Sequence, residues 1–342
     1  MHTSAYSHRG LSLVELLVAL ALGLVITLAV TQIFLSNKSV YSLQDAMARN
    51  QENGRFAVEN ISDDIRMAGY VGCGNLDRVP VNVIADPPLL GEFDINNFIR
   101  GQDNVGASND FGVDAAQGTD VIQIRKASSA GARVVEKGQS SSAQIKVSEN
   151  VGFNQGDTLL ISDCLTADIF NVTNVGNNQG NDKFVTVAHA SSNNTDNRLS
   201  KLYGSDAEVM VFQQVTYFVG ENGRETPQGR QLRSLYKRVQ TSSNVPDPVE
   251  VVDGVEDLQL EFGVDTNGNR QVNEYRTANN ITDWSRVVSV NVRLLLAAPE
   301  DSVAAQSGEF SQTVQFNGNN IGGDGVFRDV YENTVAIRNR LP

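Results

Sequence analysis

Three histidines, His2, His8 and His189, are all the imidazoles in a chain of 342 residues. Histidine-based zinc sites and Ser/His/Asp catalysis both need an imidazole held beside other positioned groups, so neither is expected. The chain also lacks a G-x-x-x-x-G-K-[ST] phosphate cradle, H-E-x-x-H, C-x-x-C and G-x-S-x-G. Carboxylates abound, but pairs such as Asp63 with Asp64 and Glu256 with Asp257 read as solvated faces rather than acid/base dyads. No catalytic residue and no cofactor are expected.

Two further groups could do chemistry. Asp265, Asn267 and Asn269 have the i, i+2, i+4 oxygen spacing of a calcium loop, a weak metal candidate. Arg270 and Arg276 stand where that pattern requires Gly and a bidentate Glu, so a hairpin turn at Asn267-Gly268 is the plainer expectation. The two cysteines are Cys73 and Cys164. Outside the cytoplasm they should form one disulfide, with a loop-closure contribution of about 4 to 5 kcal/mol; two buried free thiols are the alternative.

Those groups must be carried by a body, and the length allows one large domain with an appendage or two modest domains. Forty acidic residues against 27 basic give a net charge of −13, so direct nucleic-acid binding is not expected.

Leu11 to Leu35 contains one charge, Glu15, and Leu16 to Val30 is apolar apart from Gly23 and Thr27. At about 1.5 Å per residue this stretch covers roughly 37 Å, enough to cross a membrane. Ala19 and Ala21 could serve a secretory signal, but cleavage there would leave Leu22 to Leu35 as an exposed apolar end. Arg9 and Lys38 flank the run on opposite sides and orient it only weakly. The helical pattern continues through Val40, Leu43, Met47, Gly54, Val58, Ile61 and Ile65, without a Pro, to a stop at Ala68 and Gly69. One helix over 11–69 is expected, its second half packed on a globular body.

From about Tyr70 the period becomes two. Asp120–Arg125, Ala143–Ser148, Asp157–Ser162, Glu208–Val219, Leu258–Val264 and Val287–Leu296 read as strands, the last with Val288, Val290, Val292, Leu294 and Leu296 on one face. Gly101–Asp114, Gly176–Asp182, Ser191–Asn197 and Asn317–Gly325 read as loops, with Ser191–Asn197 the best candidate boundary within the body. The expected fold class is α+β: a long N-terminal helix on a mainly antiparallel β-sheet body over 70–342.

His8-Arg9-Gly10, then Leu11-Ser12-Leu13-Val14-Glu15 and an unbroken apolar run, resembles the leader of type IV prepilins, with Leu11 where Phe is commoner. Five further segments are similar to the PilW family of minor type IV pilins. They are Gln51–Ala57, Asp64–Cys73, Gly156–Cys164, Val252–Leu260 and Val335–Pro342, the last containing Arg338-Asn-Arg340. The resemblance implies a pilin-like fold, a leader over 1–10 cleaved after Gly10 by a prepilin peptidase, and methylation of the new Leu11 amine. It implies a single-pass inner-membrane protein with a periplasmic domain, incorporated in the pilus fibre. There it would prime assembly with other minor pilins, the major pilin and the inner-membrane assembly platform. It would sit at or near the tip, with a possible tip adhesin, in support of twitching motility, adhesion or DNA uptake. Within the bilayer Glu15 asks for a cationic partner; in the family that partner is the terminal amine of a neighbouring pilin. A minor pseudopilin of type II secretion shares leader, helix and sheet, and a membrane-tethered periplasmic hydrolase is the reading from a different class.

Overall fold

The structure is a computed structural model, and it describes residues 12–72, 76, 78–87, 93, 96–136, 143–177, 184–298 and 311–340. Helix α1 (Leu13–Arg66) has 54 residues, about 81 Å at 1.5 Å per residue. Ser12 is its N-cap and Met67 its C-cap, and Gly69 just beyond takes the left-handed conformation (φ +69°) that favours glycine. The helix therefore ends before the residue 69 read from the pattern.

Its first half packs against none of the described residues. The side chains from Leu13 to Leu35 are exposed, and the two hydroxyls among them are satisfied locally. Thr27 and Thr31 donate to the Gly23 and Thr27 carbonyls, each at 2.8 Å, which suits an apolar solvent that offers no partners.

The packed face begins later than its apolar stripe suggests. Asn50, Gly54, Ala57, Ile61 and Ile65 are buried at helical spacing, whereas Val40 is 51% and Met47 38% exposed. Asn50 is the first buried residue of the helix; before it Leu43 is half-buried, and Val40 and Met47 are exposed.

The strands are β1 (Val81–Val83), β2 (Ile99–Gln102), β3 (Val121–Glu136), β4 (Gln144–Val147), β5 (Thr158–Ser162), β6 (Ala167–Asn171), β7 (Asn174–Asn177) and β8 (Val185–Ala188). They continue with β9 (Glu208–Glu225), β10 (Gln231–Gln240), β11 (Val249–Asp253), β12 (Val255–Val264), β13 (Glu274–Arg276), β14 (Val287–Ala297), β15 (Thr313–Phe316), β16 (Asn319–Gly322) and β17 (Arg328–Ala336). All pairings between them are antiparallel except β1 with β6. One sheet of 11 strands runs β1-β6-β5-β9-β3-β4-β8-β7 with β2, β10 and β11 attached, and a four-stranded sheet runs β13-β12-β14-β17.

The larger sheet curls onto itself. Only Val172 and Thr173 separate β6 from β7. The Val172 N–H donates to Asp157 on the β5 side, and the Thr173 N–H to Ala188 on the β8 side, both at 2.8 Å. The ladder thereby closes into a small barrel of β6/β7, β5, β9, β3, β4 and β8. Phe153, Leu159, Phe170, Val187 and Val209 fill it, in a core separate from the one beneath the helix. Ser191–Asn197 is not a boundary: Asn194 exchanges hydrogen bonds with the Asn171 backbone, and the Thr195 N–H donates to Ile84 at 2.7 Å.

The four-stranded sheet lies against the helix. Val290, Val292, Leu294 and Leu296 join that core as the alternation requires, but Val287 joins it in place of Val288. The register between β12 and β14 skips Val288, where Gly263 pairs Ser289 and Val264 pairs Val287. The stretch Asn317–Gly325, read as a loop, includes β16 and turns at Asn317-Gly318.

Candidate functional site: the helix start and the helix–body seam

At the helix start, Ser12 and Glu15 form a capping box. The Ser12 N–H donates to Glu15 Oε2 at 2.9 Å, and the Glu15 N–H donates to Ser12 Oγ at 3.2 Å. The carboxylate therefore rests on its own helix, at the positive end of the dipole, and among the described residues no cation pairs with it. Ser12-x-x-Glu15 is a legible capping signature, obscured here by the apolar run that follows it. Gly10, Leu11 and Cys73 lie outside the described residues.

The seam between helix and body is built around Asp64. Its Oδ1 is 2.5 Å from Lys126 Nζ on β3 and its Oδ2 2.7 Å from Lys237 Nζ on β10. The Tyr217 hydroxyl on β9 donates to Oδ2 at 2.6 Å. Burial alone would raise the Asp64 pKa, but Lys126, Lys237 and Tyr217 together hold it below the usual carboxylate range. Asp63, beside it, is exposed and pairs with Arg66 at 2.9 Å. The two carboxylates thus point to different surroundings, and Asp64 is not on a solvated face. Glu256 and Asp257 also diverge: Glu256 is paired with Arg328 and Arg230, while burial pushes Asp257 up to about 6.

Segments distant in sequence meet along this seam. Asn53 Nδ2 donates to Asp253 Oδ1 at 2.9 Å, and Asn333 Nδ2 to Ser62 Oγ at 2.9 Å. At the helix end, Asn339 Nδ2 donates to the Ala68 carbonyl at 2.9 Å, and the Arg340 guanidinium lies 4.8 Å above the Phe98 ring. Three of the segments quoted for the leader-bearing family, around Asn53, Asp253 and Asn339, therefore contact the helix or one another. Nothing local in the sequence marks Lys126, Tyr217 and Lys237 as the neighbours of a helix so far away in the chain.

Cys164 has φ +71° in the turn after β5. Nearby, Gly72 lies against Ser162 and Met210, so the helix end abuts the barrel at this point.

The Asp265 loop is neither a two-residue hairpin nor an open cage of oxygens. It spans the residues between β12 and β13. Asp265 Oδ1 accepts the N–H groups of Asn267, Gly268 and Asn269 at 2.7 to 3.2 Å, and Oδ2 that of Arg270 at 2.8 Å. Burial raises its pKa, but these donors outweigh that and hold it below its ordinary value. Arg270 adopts φ +61°, the backbone conformation that a Gly would supply in a calcium loop. Among the described residues no group of three or more His, Cys, Asp or Glu side chains is placed to hold a metal ion.

Two families match. Residues 6–31 match the Prokaryotic N-terminal methylation motif, and residues 216–339 match Type IV Pilus-assembly protein W. No curated protein and no solved structure matches. The match to a methylation motif at the start, a long apolar helix and a mostly antiparallel sheet packed on its second half together support a type IV pilus-related pilin. Within that class, the match near the C-terminus supports a PilW-type minor pilin. The matched region holds the seam strands β12, β14 and β17, while the barrel strands other than the second half of β9 fall between the two matches.

Proposed function

We propose that this chain is a minor pilin that primes assembly of a type IV pilus and is built into the fibre at or near its tip. The carrying observation is the division of one continuous helix: an uncovered apolar half, an exposed stretch through Val40 and Met47, and a half clamped to the body from Asn50 onward. The first part suits a bilayer and later a bundle of like helices, and the last holds a rigid body beside that bundle.

In this reading Gly10 and Leu11 are the processing site and the body lies in the periplasm. Cys164 is joined to Cys73, the other cysteine of the chain, fastening the helix end to the barrel. Glu15 leaves its capping bond with Ser12, or shares it, to meet the terminal amine of a neighbouring pilin. No catalysis is required.

Deletion of the protein tests the reading. Surface pili should fall sharply while the major pilin stays abundant in the membrane, and blocking retraction should restore some pili. Normal piliation in a clean deletion strain with no second copy would overturn it.

A further inference from the structure

The two sheets of the body meet at a buried carboxylate. Asp120, the residue before β3, is 2% exposed. Its backbone N–H donates to the Leu258 carbonyl on β12 at 2.9 Å. Its Oδ2 accepts the Leu260 N–H, and its Oδ1 accepts the Asn104 N–H just after β2, both at 2.8 Å. One side chain thus ties β3 and the end of β2 to the neighbouring sheet.

The charges around it are mostly of its own sign. From the segment after β2 comes Asp103, itself buried and accepting the Ala278 and Asn279 N–H groups at 2.7 and 2.8 Å. From β12 comes Asp257, beside Glu256 and faced by Arg233 of β10. The turn Ala116–Thr119 and the short helix Ala278–Asn280 bring no charged residue. No lysine or arginine pairs with Asp103 or Asp120 among the described residues.

We propose that this joint is proton-operated: closing the two sheets on each other takes up a proton at Asp120, and parting them releases it. Removing a carboxylate from water into a site with like charges and no paired cation favours its neutral form. Burial outweighs the two N–H bonds from Asn104 and Leu260 and, with Asp103 and Asp257 adding to it, pushes Asp120 up to about 7.

The sign follows from linkage. A carboxyl whose pKa is higher in the closed joint than in water strengthens the joint as pH falls below about 7 and ceases to do so as pH rises through it. Global melting would blur this, since His189 acts in the opposite direction. Burial lowers its pKa to about 4, so it withdraws stability as pH falls from about 6.5 toward 4. A local readout is therefore needed.

The test uses the full chain in detergent micelles. The carbon-13 shift of the Asp120 carboxyl should titrate with a midpoint near 7, and amide exchange at Leu260, corrected for its intrinsic rate, should rise about 50-fold between pH 5 and 7. Asp257→Asn should move the Asp120 midpoint downward by removing a like charge, and Asp120→Asn should abolish the pH dependence at Leu260. Should Asp120→Asn not fold, the wild-type and Asp257→Asn titrations decide. A carboxylate shift unchanged from pH 5 to 9, or corrected exchange at Leu260 independent of pH in the wild type, would overturn the proposal.

Discussion

Gly54 on α1 and Tyr331 on β17 are in such close contact that a Cβ on the glycine would lie 2.4 Å from the tyrosine ring. Glycine in a helix interior costs about 1 kcal/mol relative to alanine, so its presence here serves the approach of helix to sheet. Gly54→Ala should destabilise the chain by a net ~1 kcal/mol, as overpacking of about 1 to 3 kcal/mol exceeds the gain in helix propensity. In a Tyr331→Ala background the same change should be neutral or stabilising. Thermal unfolding of the four variants checks this, and additive effects would show that the two residues do not meet.

Asp64→Asn should cost about 3 kcal/mol, the scale for breaking a buried ion pair, because Lys126 and Lys237 are left without their carboxylate. The pH sign is the ordinary one for a carboxyl held low. The stabilisation is present above the unfolded value of 3.8 and is lost as pH falls below it. Wild type and variant should therefore converge in urea unfolding as the medium is acidified below about pH 3.8.

Replacing Glu15 separates capping from charge. Glu15→Gln keeps an oxygen for the Ser12 N–H but removes the negative charge, whereas Glu15→Ala removes both. If docking depends on the charge, both variants should lose surface pili while the body unfolds at the wild-type temperature, since Glu15 lies far from the sheet. Wild-type piliation in Glu15→Gln would assign the residue to capping alone.

The Asp265 loop should show no strong calcium dependence, because its carboxylate already serves four backbone donors. Asp265→Ala should nevertheless destabilise by about 1 to 3 kcal/mol by stranding those donors. Calorimetry that detects micromolar calcium binding, abolished in Asp265→Ala, would contradict this.

Periodicity made the helix and the long strands readable. Leu16 to Val30 could hardly be anything but an apolar helix, and Val290, Val292, Leu294 and Leu296 alternate as an inward strand face must. What escaped depends on contacts between distant residues. Val288 loses its place to Val287 through a register shift against β12, and the barrel closes through strands as short as Asn174–Asn177. Asn267-Gly268 carries a hairpin signal, yet the local competition of Asp265 for backbone donors opens the turn into a wider loop. Asp64 resembled its neighbour Asp63 in every local respect, and only the folded sheet distinguishes them.

Mass spectrometry of fibres sheared from the cell surface tests the central claim most directly. The account predicts this chain in the fibres at low abundance, beginning at Leu11 with a methylated amine and bearing Cys73 joined to Cys164. A chain confined to the membrane fraction and absent from the fibres, or one beginning at Leu22, would contradict it.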